Sequence, residues 1–157
     1  CQIISHVIQP TPASSRDKVM IRNRFAYIFG LLLLAPAAWA QDWALEGIDP
    51  VAYTVQGQAV AGRSDIATRW GGKSWHFATE ENRATFESNP RAYAPGLNGL
   101  CVVALSEGRA EPGNPRHFVV IGQRTYLVRS ENARQRLQQD PRKVLMEAKA
   151  IWTRMNP

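Results

Sequence analysis

The feature that most constrains this chain is a stretch that repeats at a fixed spacing. Sliding the sequence by 51 positions with no insertion sets Gly71 on Gly122, Trp75 on Tyr126, Phe77 on Val128, Thr79 on Ser130, Glu80 on Glu131, Phe86 on Leu137, Asn89 on Asp140, Pro90 on Pro141 and Arg91 on Arg142. These are the positions at which a strand-turn-strand-helix unit needs its turn, core, cap and stop residues. In the first copy, Ala67 to Trp70 and Ser74 to Phe77 are rich in bulky residues and flank Gly71-Gly72-Lys73, a pattern that predicts a β-hairpin. Thr79 then predicts a helix N-cap, with Glu80 and Glu81 where carboxylates suit the positive helix end, and Asn89-Pro90 predicts the stop. Two units obeying the same local rules resemble each other with or without common ancestry, so the repetition predicts architecture and leaves origin open.

The fold class that follows is α+β: a small single domain with two β-hairpin-helix units, a short Cys-bearing helix between them and a C-terminal amphipathic helix. Asp140-Pro141 opens that last helix, Pro being tolerated in a first turn. Val144, Ala148, Ile151 and Met155 then share one face beside Leu145 and Trp152, while Arg142, Lys143, Glu147, Lys149 and Arg154 take the other. A composition of 45% apolar and 20% charged residues provides for a packed core and excludes a disordered or collagen-like chain.

Residues 1–40 are not expected to belong to that fold. From Met20, Arg22 and Arg24 precede an apolar stretch from Phe25 to Ala37, and Ala38-Trp39-Ala40 supplies the small residues a signal peptidase reads. The apolar run is shorter than the ~20 residues of a bilayer span. The expected organisation is an upstream disordered extension over 1–19, a signal peptide over 20–40 cleaved after Ala40, and a folded domain over 41–157. Its expected address is the periplasm or the exterior, with no stable membrane span after cleavage. The whole chain carries 19 Lys plus Arg against 13 Asp plus Glu, a net charge of +6. Removing residues 1–40 takes away four cations and one carboxylate and leaves about +3. With no basic run, that charge excludes nucleic acid as an expected partner.

Candidate chemistry concentrates on one sulfur. Cys101 is the lone cysteine of 41–157 and so has no internal disulfide partner there. Asn98 or Gly99 can cap a short helix that Gly108 ends, placing Cys101 at its first turn, where a solvent-reached thiol ionises more readily. The alternative is an inert thiol among Leu100, Val102, Val103 and Leu105. His76, between Trp75 and Phe77, is expected on the opposite strand face, toward solvent; His117 follows Pro115-Arg116 at the start of the second hairpin. Neither lies in a His-x-His or His-Glu-x-x-His motif, and no nucleophile elbow, dinucleotide fingerprint or phosphate loop is present. A soft metal such as Cu(I) would need Cys101, one His and Met146 or Met155 brought together by the fold. A thiol-dependent enzyme would need Cys101 as nucleophile and His76 or His117 as base.

The landmarks also resemble a known family. Gly47-Ile48-Asp49-Pro50-Val51-Ala52-Tyr53, Trp75-His76-Phe77-Ala78-Thr79-Glu80-Glu81-Asn82-Arg83, Phe86, Asn89-Pro90, Tyr93-Ala94-Pro95, Gly99-Leu100-Cys101-Val102 and Gly113-Asn114-Pro115 are similar in order and type to the exported bacterial YHS-domain proteins. The resemblance spans essentially all of 41–157. It implies a small α+β domain with Asp49, Pro50, Tyr53, Phe77, Asn82, Phe86, Pro90, Tyr93 and Gly99 as scaffold. It also suggests metal binding, by analogy to YHS modules of copper and mercury resistance proteins and the related TRASH domains. Metal-type modules carry three thiols in Asp-Pro-Val-Cys and Phe-Cys-Ser-x-x-Cys; Ala52, Ala78 and Asn82 stand at those positions here. Leu100 and Val103 stand where the exported subgroup often has tyrosines beside the cysteine.

Three readings follow. The first is a non-catalytic binding protein holding a metal ion, copper included, or a small ligand near Cys101, with His76 or His117 as further ligands. The second is a thiol-dependent enzyme or redox protein using Cys101. The third is a structural or partner-binding module. The residues favour a protein that is not an enzyme.

Overall fold

The computed structural model describes residues 42–156. The expected upstream extension and signal peptide lie outside the described residues. The remainder is α+β, as the sequence predicts. Asp42 and Trp43 lead into a 3₁₀ turn, Ala44–Gly47, and a one-turn helix α1, Ala52–Val55. The first hairpin pairs β1, Arg63–Trp70, with β2, Lys73–Phe77, and is followed by α2, Glu80–Ser88, and the short α3, Pro90–Tyr93. A second 3₁₀ turn, Gly96–Gly99, leads to α4, Val102–Ser106. The second hairpin pairs β3, Asn114–Ile121, with β4, Arg124–Val128, before α5, Glu131–Gln139, and α6, Pro141–Met155.

Local chemistry accounts for these elements. Gly71 and Gly72 at φ 58° and 80°, and Gly122 and Gln123 at φ 57° and 63°, form tight turns with two left-handed central residues, whose twist matches that of the flanking strands. The side chains of Thr79, Ser130 and Asp140 accept hydrogen bonds from the backbone N–H groups of Asn82, Ala133 and Lys143, capping α2, α5 and α6. The strands begin earlier than the bulky residues suggest. Each outer strand carries an irregularity, between Arg63 and Ala67 in β1 and between Asn114 and Phe118 in β3, that leads into the preceding loop.

The two antiparallel sheets share no strand. What joins the halves is packing. One core cluster gathers Ile66, Trp75, Phe77 and Phe86; another gathers Val102 to Leu105, Val128, Leu137, Val144 and Ala148. Between them Ile48, Tyr53 and Leu127 form a third, with the Tyr53 ring packed at 4.5 Å against Phe118 and tilted by 51°. The Tyr53 hydroxyl, in the first half, donates to the Pro115 carbonyl in the second at 2.7 Å. Burial, helped by the Glu46 and Asp49 carboxylates, holds this phenol well above its ordinary ionisation range, so it remains a donor. Of the face expected on α6, Val144 and Ala148 are buried with Leu145, Ile151 and Trp152 are half-buried, and Met155 is exposed.

One core side chain does not match its surroundings. Thr125 is fully buried on β4, and its hydroxyl has no partner among the described residues. Thr125→Val keeps the shape and removes the desolvated hydroxyl. It is expected to raise stability by about 1 kcal/mol, read as a later urea midpoint at unchanged slope; an earlier midpoint would show that the hydroxyl contributes.

Candidate functional site

The repeat runs further back than the sequence comparison reaches. Ala44–Gly47 and Gly96–Gly99 have the same unusual backbone, with φ 54°, 53° and 82° at Leu45, Glu46 and Gly47, and 54°, 56° and 75° at Leu97, Asn98 and Gly99. The left-handed region costs an ordinary L-residue roughly 1–2 kcal/mol, so four non-glycine residues held there are a concentrated strain. Matching hydrogen bonds hold both turns. Gly62 N–H donates to Gly47 O at 2.8 Å, and Gly113 N–H donates to Gly99 O at 2.9 Å. Asp49 N–H donates to Val60 O and Cys101 N–H to Glu111 O, both at 2.8 Å. A Cβ at Gly62 would sit 2.5 Å from the His76 carbonyl carbon, and one at Gly113 would sit 2.4 Å from the Leu127 Cβ, so both positions require glycine.

The two strained turns line one cleft. It has a volume of about 790 Å³, within the range of small-molecule sites. Its walls include Leu45 and Glu46 from the first turn, Asn98 and Gly99 from the second, and the indoles of Trp43, Trp70, Trp75 and Trp152. Lys73, Arg91 and Arg124 add three cations to one carboxylate, that of Glu46. Trp43 is 39% exposed, large for an indole, and its ring packs against His76 at a centroid distance of 4.4 Å. Trp75 is held by its indole N–H, which donates to the Trp70 carbonyl at 2.9 Å, and by the Phe86 ring at 4.9 Å.

The predicted site residues lie apart from any such opening. Cys101 is 1% exposed and belongs to the aliphatic cluster of the second half, the inert alternative of the sequence reading. It is the residue that caps α4, its sulfur accepting from Ala104 N–H at 3.5 Å. Asn98 and Gly99, expected as caps, form the left-handed turn instead. The cleft reaches the chain immediately before the thiol, through Asn98, Gly99 and Leu100. His76 is 3% exposed rather than solvent-facing, because Trp43 covers that strand face; its Nε2 lies 3.2 Å from Ser74 Oγ. His117 is half-buried on β3 beside a second depression, of about 550 Å³, formed with Arg116, Glu131 and Arg134. Among the described residues no three His, Cys, Asp or Glu side chains come together as a metal-holding group.

Two expectations follow from these positions. Cys101 is expected to resist iodoacetamide in the native protein and to react only as the fold opens, with peptide mapping separating it from Cys1; fast labelling without denaturant would show a reachable thiol. Burial lowers the His76 pKa below its ordinary 6.5, so the unfolded chain binds this proton more readily than the folded one. Its effect on stability is absent above that unfolded value, grows as pH falls through it at up to about 1.4 kcal/mol per pH unit, and levels off below the folded pKa. His76→Gln is expected to flatten the urea-midpoint profile on the acid side of about pH 6.5; an unchanged slope would assign the acid sensitivity to other groups.

The scaffold residues of the family resemblance converge on a different point. Asp49, fully buried, accepts through Oδ1 from Val51 N–H at 2.8 Å and Ala52 N–H at 3.4 Å. Through Oδ2 it accepts from Ala78 N–H at 2.8 Å and Asn82 Nδ2 at 2.7 Å. Ala52, Ala78 and Asn82, the three positions that the resemblance would match to thiols, all donate to this one carboxylate. Pro50 and Phe77 are buried around it, Phe86 packs on Phe77 at 5.2 Å, Pro90 opens α3, and Tyr93 lies half-buried against the same cluster. In the second half Cys101 occupies the position of Asp49, each accepting from the N–H three residues on. Comparison with protein-family models, with curated proteins and with solved structures returns no match.

Proposed function

We propose that this protein is an exported module of the YHS type that binds a small organic ligand without chemically altering it, in the cleft between its two halves and beside Cys101. The observation that carries the reading is the cleft itself, where the strained turns of both repeats and four indoles line one opening. Backbone strain of this kind persists where the surrounding fold over-determines it, and it concentrates at binding sites. Support for the family reading is that Ala78 and Asn82, 29 and 33 residues beyond Asp49, meet Ala52 at its carboxylate. That convergence also favours an organic ligand over a soft metal, since a hydrogen-bonded carboxylate fills the place where thiols would meet. A nucleophilic role for Cys101 has only the helix-start position behind it, without exposure.

The test is a titration of ¹⁵N-labelled protein with a fragment panel spanning acidic, neutral and basic compounds, with Cu(I) and Zn(II) as separate arms. Shifts gathered on Trp43, Asn98, Leu100 and Trp152 are expected. Shifts confined to other surfaces, or metal-induced changes centred on Cys101, His76 or His117, would overturn the reading.

A further inference from the structure

Resting on the cleft reading, we infer the class of ligand: a flat aromatic ring system bearing an anionic acid group, held by indole faces and by cations contributed from both repeats. Charge is the first argument. Seven arginines, Arg63, Arg83, Arg109, Arg116, Arg129, Arg134 and Arg136, are ion-paired with Asp or Glu. Lys73, Arg91 and Arg124, which line the cleft, form no ion pair among the described residues. Five other cations without an ion pair, Arg69, Arg142, Lys143, Lys149 and Arg154, lie outside the lining, so what marks the cleft is that three such cations meet at one opening. Guanidinium groups recognise carboxylate and phosphate through paired N–H donors, and a partly enclosed site strengthens that recognition.

Position is the second argument. Lys73 and Arg124 are 51 residues apart, the repeat spacing, and each opens the second strand of its hairpin. The two halves therefore supply one cation apiece from the same structural position. Arg124 reaches over the left-handed turn of its own half, for a Cβ on Gly96 would lie 3.2 Å from its Nε. The indoles are the third argument. Trp43 and Trp152 offer partly exposed rings, and Trp70 packs edge-on against Trp75 at 5.7 Å, leaving apolar walls on which a planar ring can stack. Glu46 is the one carboxylate of the lining and opposes an anion.

The probes are naphthalene-2,6-dicarboxylate, its uncharged dicarboxamide, cyclohexane-1,4-dicarboxylate and adenosine 5′-monophosphate, titrated calorimetrically and by tryptophan fluorescence. The dicarboxylate is expected to bind and quench, at least about tenfold more tightly than the dicarboxamide or the cyclohexane diacid. Lys73→Ala with Arg124→Ala is expected to weaken it a further tenfold or more while leaving the dicarboxamide unchanged; both side chains are exposed, and an unaltered melting curve checks the fold. Glu46→Gln is expected to tighten it. Binding of the monophosphate in place of the dicarboxylate would support the same class and assign the acid group to a phosphate. Equal affinity for acid and amide, or indifference to the double variant, would overturn the ligand class while leaving the cleft reading intact. If neither these probes nor any fragment shifts the cleft resonances, both fall.

Discussion

Asp49→Ala is expected to destabilise the fold by about 3–5 kcal/mol, the largest polar effect in the molecule. The carboxylate is fully buried and satisfies four N–H groups from α1, the loop after β2 and α2. Truncation leaves buried donors without acceptors, each costing about 1–3 kcal/mol, although relaxation recovers part of the sum. Asp49→Asn separates the roles of the two oxygens. An amide keeps one acceptor but points N–H₂ at two donors, and although the Asn82 side chain can turn to present its oxygen, the Ala78 N–H cannot. An intermediate loss is therefore expected. The measurement is the urea midpoint of both variants; a loss below about 1 kcal/mol for Ala would show that water replaces the carboxylate and that the site is open.

Phe86→Ala is expected to cost about 3–5 kcal/mol through the cavity it leaves. Phe86 is fully buried where the first-half aromatics meet, 4.9 Å from Trp75, 5.2 Å from Phe77 and 5.9 Å from Trp70. Two of those rings also line the cleft, so the variant is expected to loosen the ligand wall as well as the core. Leu137, its repeat equivalent, is equally buried but touches no cleft indole except through Trp152 in the same cluster. Leu137→Ala is expected to destabilise comparably while perturbing tryptophan emission less. One cooperative transition in both variants would show that Ile48, Tyr53 and Leu127 bind the halves into a single unit. A two-step curve would show that each half melts alone.

The hairpins, caps and stops were legible because turn, capping and periodic apolar residues act locally, and their signals stand at 71–72, 79, 89–90, 130 and 140–141. The Asp49 network was not legible, since a carboxylate beside Pro50 carries no local sign that its partners lie 29 and 33 residues on. An opening between the two units was expected, but its lining was not legible. Its left-handed turns use Leu45, Glu46, Leu97 and Asn98, residue types with no strong signal for that backbone, and only the trailing Gly47 and Gly99 mark them. The offset also changes, from 52 between these turns to 51 between the hairpins, so a single rigid shift breaks off before reaching them. His76 was misread because alternation along β2 takes no account of Trp43, which arrives from thirty-odd residues earlier.

The break in pairing on each outer strand bears on how copies of the chain meet. Two separate two-stranded ladders leave rims of backbone donors and acceptors that could recruit a neighbour's strand and grow into a fibre. At the start of β1 and of β3 the register slips, Pro115 offers no N–H, and Arg63 faces outward with Asp65. Along the outer rims of β1 and β3 an incoming strand therefore meets an interrupted row. What looks like a flaw in each ladder thus blunts one of its two rims against strand addition, and it is present twice because the repeat carries it in both halves.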